Sequence, residues 1–152
     1  MDSLHRLKYV STPRAGLDEA QLRDILKSAR RHNPPRGLTG FLAFCPEHFV
    51  QVLEGGRAAL TECFTRLARD ERHHSLVLLS FDAIQQRDFC DWSMGYMALG
   101  PRHQSLLMHY SSDGTLQPMA LHDASLMMLL RELASGSPQR RPAPLAEPAL
   151  TP

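Results

Sequence analysis

Three polar side chains, Tyr9, Asn33 and Gln51, occupy positions where their segments otherwise place apolar residues. A buried polar group without a hydrogen-bond partner costs about 1–3 kcal/mol, so each needs a partner. Tyr9 and Gln51 could bond to each other within a sheet while Asn33 caps a helix. Alternatively, all three converge on a bound planar molecule, a use that suits a glutamine amide because it carries both donors and an acceptor. The pattern alone leaves both accounts open.

Other clusters of polar residues give weaker signals. The segments Cys45–His48 and His73–His74 lack a second half at zinc-ligand spacing, so we expect no metal site. Arg30 and Arg31, with Arg36 nearby, favour a solvated helix end over a phosphate contact. The sequence contains no GxSxG, HExxH, P-loop or GxGxxG motif, so it shows no familiar catalytic pattern.

The elements that position these residues follow from the apolar pattern. It predicts strands at 4–11, 37–44, 49–53, 76–81 and 92–97, and helices from the N-cap Asp18 to 32 or 33, at 57–70 and at 122–135. The nearly continuous apolar run at 76–81 is typical of a strand buried on both faces. The order βαββαββ predicts an α+β, ferredoxin-like sheet with two helices on one face. We expect the C-terminal helix on the other face, or against a partner subunit.

Composition limits the class of protein. The 152 residues are 43% hydrophobic, which suits a single domain. Seventeen basic and sixteen acidic side chains leave the chain nearly neutral, so we expect no direct binding to nucleic acid or to an anionic membrane. Three cysteines without a CxxC pair indicate a reducing compartment. With no signal peptide and no membrane-spanning run in the sequence, we expect a soluble, cytoplasmic protein.

Six segments together match one family in order and spacing. They are Leu4–Ser11, Arg31–Pro34, Gly37–Leu42, Phe49–Gly55, Asp70–His74 and Asp91–Tyr96. Over about residues 3 to 98 the chain resembles BLUF domains, the sensors of blue light using FAD. Each segment would be a weak signal by itself, but six in register make a specific match.

The resemblance implies a role for each matched residue. Tyr9 corresponds to the redox-active tyrosine of the family, and Gln51 to the glutamine between that phenol and the flavin. Trp92 and Met94 correspond to residues that alternate near the glutamine and relay its state to the last strand. Asn33 corresponds to the asparagine that hydrogen-bonds the flavin pyrimidine edge. Ile25 and Leu67 correspond to the apolar pair that encloses the ring. The full set implied to bind FAD is Tyr9, Ile25, His32, Asn33, Gln51, Arg66, Leu67 and Asp70.

The function implied is a blue-light photoreceptor that holds FAD non-covalently and is not an enzyme. We expect a photosensor domain at 1–98, an extension with the last helix at 99–136, and a disordered, Pro-rich tail at 137–152. Because no effector domain is expected after residue 98, output should pass through a homo-oligomer, dimer or larger, or through an unknown downstream protein.

The sequence leaves two alternatives to photosensing open. The first is a small ferredoxin-like hydrolase of the acylphosphatase type, which would need an anion-binding loop and a positioned arginine. The turn Ser11–Gly16 supplies such a loop only loosely. The second is a non-photoactive interaction module built on the apolar helix around Met127.

Overall fold

The computed structural model describes residues 2–136 as one mixed sheet with helices on both faces. The strands are β1 (Leu4–Pro13), β2 (Thr39–Cys45), β3 (His48–Gly56), β4 (His73–Ala83) and β5 (Gly95–Ala98). The α-helices are α1 (Glu19–His32), α2 (Arg57–Ala68), α3 (Gln104–Leu107) and α4 (Asp123–Ser135). The predicted tail at 137–152 lies outside the described residues, and the domain boundary at residue 98 stays a prediction.

The topology is the predicted ferredoxin-like one. The strand order is β4-β1-β3-β2-β5, and neighbours are antiparallel except for the parallel pair of β2 and β5. Helix α1 connects β1 to β2 across β3, and α2 connects β3 to β4 across β1, so two split βαβ units interlock. The strand β5 extends this sheet at the β2 edge.

Strand β3 shows how the sheet divides the core. Phe49, Gln51 and Leu53 face α1 and α2, whereas Val50 and Val52 face the opposite side, as the two-residue period of a strand requires. Helix α4 covers that second side and buries one apolar face: Leu126, Met127, Leu129, Leu130, Leu133 and Ala134. The prediction that the C-terminal helix covers the second face of the sheet is therefore confirmed.

Helix α1 begins and ends where its sequence predicts. The backbone amide of Gln21 donates to Asp18 Oδ1 at 2.8 Å, and the backbone amide of Asp18 donates to Gln21 Oε1 at 3.1 Å. These two hydrogen bonds form a capping box. At the other end the Asn33 backbone amide donates to Ala29 O at 2.8 Å. Asn33 keeps helical backbone angles, and Pro34 ends the α-helical hydrogen bonding because it has no N–H. This termination places the Asn33 side chain inside the protein, where it is 2% exposed.

The prediction that the strand at 76–81 is buried on both faces is wrong. Among residues 2–136, β4 is an edge strand whose one partner is β1, and Val77 and Leu78 are 39% and 46% exposed. Its register against β1 shifts twice, and irregular pairing of this kind protects an edge from joining another sheet. An apolar run reports the composition of a strand but not its place in the sheet.

The predicted fifth strand is shorter than expected. Pairing with β2 begins at Gly95, opposite Phe41, so Trp92 and Met94 lie in the loop before β5. A Cβ on Gly95 would come within 2.9 Å of both Phe41 and Trp92 side-chain atoms, so the backbone can approach only because this residue is glycine.

Charged residues beneath α4 tie the helix to the sheet. Lys8, which is 2% exposed, pairs with Asp123 at the start of α4 at 2.9 Å. Asp88, in the loop before β5, binds Arg131 of α4 at 2.9 Å and also pairs with Arg6 of β1. Glu54 accepts hydrogen bonds from Arg6 and from two amides of the same loop. Both ends of α4 are thus held by ion pairs.

Candidate functional site

A cavity of about 430 Å³ lies between α1, α2 and the sheet face that these helices cover. This volume falls within the range of about 300–1,000 Å³ that is typical of small-molecule sites. The eight residues predicted to hold the cofactor all line it: Tyr9, Ile25, His32, Asn33, Gln51, Arg66, Leu67 and Asp70. The fold therefore brings the predicted set together, and its role in binding stays a prediction.

The floor of the cavity carries the two polar residues of the sheet. Tyr9 on β1 lies directly opposite Gln51 on β3, so their side chains share one face. The Tyr9 hydroxyl donates to Gln51 Oε1, and Gln51 Nε2 donates to Met94 Sδ at 3.4 Å. Tyr9 is 2% and Gln51 5% exposed. The two residues thus bond to each other and also face the cavity, so the two accounts of their burial are compatible.

The Tyr9 phenol is held in its neutral form. Burial raises its pKa far above the ordinary value of 10, and the nearby Cys63 and the Asp70 carboxylate raise it further. A neutral phenol keeps its proton on the hydrogen bond to Gln51 throughout the ordinary pH range. It can therefore act only as a donor towards the amide oxygen.

The end of α1 supplies the polar edge of the cavity. Asn33 Nδ2 donates to Ser93 O at 2.6 Å, which connects this residue to the loop before β5. The His32 Nδ1 proton is donated to Ser28 O at 2.9 Å, because a carbonyl oxygen can only accept. This assignment leaves Nε2 of neutral His32 as an acceptor.

Cationic side chains surround the part of the cavity near the end of α2. Arg66, Arg69 and Arg72 all line it. Arg72 donates to both carboxylate oxygens of Asp70, at 2.9 and 2.6 Å. This hydrogen bond is the main reason that the pKa of Asp70 is below its ordinary value. The site therefore combines an apolar slot, a polar edge and a basic region suited to phosphate.

No role at the cavity was predicted for His73, although it belongs to the matched segment Asp70–His74. Its Nε2 donates to Leu67 O at 2.7 Å, so Nδ1 of the neutral ring accepts the Ser11 hydroxyl at 2.7 Å. The ring also meets Tyr9 edge-on, with centroids 6.2 Å apart. His73 thus joins α2 to β1 beside the cavity. Among the other lining residues that were not predicted, four have polar or ionisable side chains: Ser28, Cys63, Arg69 and Arg72.

The two residues predicted to relay the signal lie on opposite sides of the sheet. Met94 is 2% exposed and contacts Gln51 on the sheet face that α1 and α2 cover. Trp92 instead packs against Phe41 and Phe89 in the core under α4, with ring centroids 5.8 and 6.1 Å away. Met94, and not Trp92, is therefore the neighbour of Gln51 in this structure, and the relay itself stays a prediction.

Known proteins resemble this chain in sequence and in fold. The family described as sensors of blue-light using FAD (BLUF) matches residues 4–95. Photoactivated adenylate cyclase subunit beta of Euglena longa is 29% identical over 93 residues, which are 60% of this chain and 11% of that protein. The chain therefore corresponds to about a tenth of the length of that relative.

Two solved structures resemble the chain over most of its length. The photo-activated state of BlsA has a TM-score of 0.78 and 29% identity, and the match covers 86% of this chain and 94% of BlsA. The dark state of BlrB, described as a BLUF protein, has a TM-score of 0.71 and 30% identity, with coverage of 88% and 96%. Family match, fold and cavity agree, and the chain belongs to the BLUF family of blue-light sensors that use FAD.

Proposed function

We propose that Tyr9 and Gln51 are the light-driven switch of this blue-light sensor, with FAD held non-covalently in the cavity above them. The observation that carries the proposal is the buried hydrogen-bonded chain from Tyr9 through Gln51 to Met94 along the cavity floor. Its central amide can exchange donor and acceptor by rotation.

The residues around the cavity fit a flavin. Ile25 of α1 and Leu67 of α2 offer apolar surfaces for the two faces of a planar ring. Asn33 and Gln51 offer amide groups for its polar edge, and the arginines near the end of α2 suit the phosphates of FAD. The buried Tyr9 hydroxyl already donates a hydrogen bond to the Gln51 amide oxygen.

The mechanism follows from the neutral phenol and the rotatable amide. FAD supplies a chromophore that becomes a strong oxidant when it absorbs blue light. Tyr9 can give up an electron and a proton together, so no charge has to persist in a dry site. While Tyr9 is oxidised, Gln51 can rotate or tautomerise, and return of the electron and proton then leaves an altered hydrogen-bond pattern. The outcome is a switch without a net chemical product.

Purification tests the cofactor directly. The protein is expected to be yellow and to release one equivalent of FAD when it is denatured, as measured by chromatography of the supernatant. The arginines near the end of α2 should make apo-protein bind FAD more tightly than riboflavin, which lacks phosphate. Colourless protein that does not take up added FAD would refute the proposal.

We propose further that output passes through α4 to a second copy of the chain or to a downstream protein, without enzymatic activity of this region. Asp88 supports this, because it links Arg131 of α4 to the loop that carries Met94. Loosening of that loop would weaken one of the two ion-pair attachments of α4.

Sedimentation velocity in the dark and under continuous blue light tests whether output passes to a second copy of the chain. A light-dependent change in sedimentation coefficient is expected, and it should shrink in Arg131→Gln. Identical profiles in both conditions would contradict self-association and leave a different protein as the output partner. The exposed Arg23→Gln, which only pairs weakly with Glu19 at 3.8 Å, is the matched control.

The hydrolase alternative receives no support from the turn after β1. The Arg14 amide already donates to Arg72 O at 2.9 Å and the Leu17 amide to Arg14 O at 3.1 Å. These two donors are therefore not directed at an anion. The interaction-module alternative is weakened because the apolar face around Met127 is buried against the sheet.

We also propose that the protein is cytoplasmic. Cys45, Cys63 and Cys90 are free thiols, which supports a reducing, cytoplasmic location. Between residues 2 and 136, no helix has the length and apolar character needed to cross a membrane.

A further inference from the structure

Three consecutive carbonyl groups before β5 are each held by a different donor. Trp92 O accepts the Gly40 amide of β2 at 3.1 Å. Ser93 O accepts the Asn33 side chain at 2.6 Å. Met94 O accepts Nε of Arg30, on α1, at 3.0 Å. This segment has no strand partner of its own until Gly95, so these donors fix its path.

Arg30 differs from the other two donors in its position. Gly40 lies within the sheet and Asn33 is buried at the cavity edge, whereas Arg30 lies on the exposed surface of α1 and does not line the cavity. Its hydrogen bond nevertheless ends on the backbone of Met94, the residue whose sulfur accepts from Gln51. A surface side chain thus reaches the residue next to the proposed switch.

We propose that Arg30 is a positioning residue that holds Met94 beside Gln51 and thereby sets the lifetime of the light-activated state. The inference rests on the proposed switch of Tyr9 and Gln51. With Met94 O fixed, the sulfur is kept within reach of the Gln51 amide, which stabilises the arrangement seen here. On this proposal the hydrogen bond from Arg30 breaks in the light-activated state and has formed again in the transition state of dark recovery, so its loss raises that barrier and slows recovery.

The variants Arg30→Met and Arg30→Gln separate the hydrogen bond from the charge. Methionine has the same number of side-chain atoms up to the Nε position but carries no donor there. Glutamine places an N–H donor, Nε2, at the same position along the side chain as the arginine Nε but carries no charge. Dark recovery after a blue pulse is expected to slow by about 3- to 10-fold in Arg30→Met, the range that one such hydrogen bond can supply. It should stay close to the unmodified rate in Arg30→Gln.

Arg31→Met is the matched control, because Arg31 is the neighbouring exposed arginine of the same helix. Equal recovery rates in Arg30→Met and Arg31→Met would overturn the proposal. Equally slow recovery in Arg30→Met and Arg30→Gln would also overturn it, since charge and not the hydrogen bond would then be responsible. Unchanged melting temperature and flavin content in all three variants show that the effect is not a general loss of structure.

Fluorescence gives a second readout that needs no photocycle. Trp92 is the only tryptophan in the sequence and belongs to the same segment. Its emission in the dark is expected to shift to longer wavelength in Arg30→Met, because the segment loosens and the indole becomes more hydrated, but not in Arg31→Met. Unshifted emission in Arg30→Met would count against the proposal. If the unmodified protein showed no light-induced red shift of the flavin absorption, the failure would instead lie with the proposed switch of Tyr9 and Gln51.

Discussion

Gln51→Leu is expected to leave a yellow protein that shows no reversible red shift after a blue pulse. Leucine fills a similar volume on the cavity floor but has neither the oxygen that accepts from Tyr9 nor the nitrogen that donates to Met94. Without an amide that can exchange donor and acceptor, the hydrogen bonds around the flavin have only one pattern. Light-minus-dark absorption spectra measure the shift.

The substitution also leaves the Tyr9 hydroxyl without its protein acceptor. Because an unsatisfied buried donor costs about 1–3 kcal/mol, the free energy of unfolding should fall by an amount in this range. Gln85→Leu, at an exposed position before β5, is the matched control and should keep the full red shift. A normal red shift in Gln51→Leu would show that the amide is not the moving part.

Tyr9→Phe is the second change with a large expected effect. The ring can keep its edge-on contacts with Phe64 and His73, whose centroids lie 5.6 and 6.2 Å away, so the fold and FAD binding should persist. Phenylalanine has no hydroxyl proton to transfer and is much harder to oxidise. The yield of the red-shifted state is expected to fall at least about tenfold, a difference of about 1.4 kcal/mol or more in activation free energy.

Tyr96→Phe is the control for this change. Tyr96 lies opposite Leu42, which in turn lies opposite Gln51, so it belongs to the same row of the sheet but does not line the cavity. Its variant should keep the photocycle. Loss of the photocycle in both variants would mean that the effect is not specific to Tyr9, and a full yield in Tyr9→Phe would require another electron donor.

The parts of the fold that sequence could predict depend on local patterns. The N-cap Asp18, the apolar stripe of α1 and the proline after Asn33 each act within a few residues, and the structure confirms the helix they predict. Tyr9, Gln51 and Asn33 were conspicuous because each interrupts a periodic apolar pattern, and all three prove to be buried.

The features that escaped prediction depend on which strands become neighbours. No local pattern specifies the register of β1 against β3, which puts Tyr9 opposite Gln51, so a hydrogen bond between them was only one of two open accounts. The exposure of Leu78 follows from the edge position of β4. Lys8 is buried because Asp123, more than a hundred residues later, reaches it as α4 packs on the sheet. A lysine in an alternating strand otherwise predicts a solvent-facing position.

The residues of the site divide in the same way. Ile25 and Leu67 looked like ordinary core, and only the family resemblance distinguished them from it. Arg72 lies in the turn before β4 and His73 begins that strand, where polar residues are usual, so nothing in their spacing predicted that they would line the cavity. Arg30 was interpreted as a solvated helix end, which its exposure supports, but its hydrogen bond to Met94 O depends on the path of a distant loop.

The light-minus-dark absorption difference spectrum of the purified, FAD-loaded protein tests the central claim most directly. A blue pulse is expected to produce a small red shift of the flavin band that disappears completely in the dark, with no net change in the redox state of the flavin. Stronger hydrogen bonding from Gln51 to the ring would account for that shift. Irreversible bleaching, or no spectral change in protein that carries FAD, would contradict a switch formed by Tyr9 and Gln51.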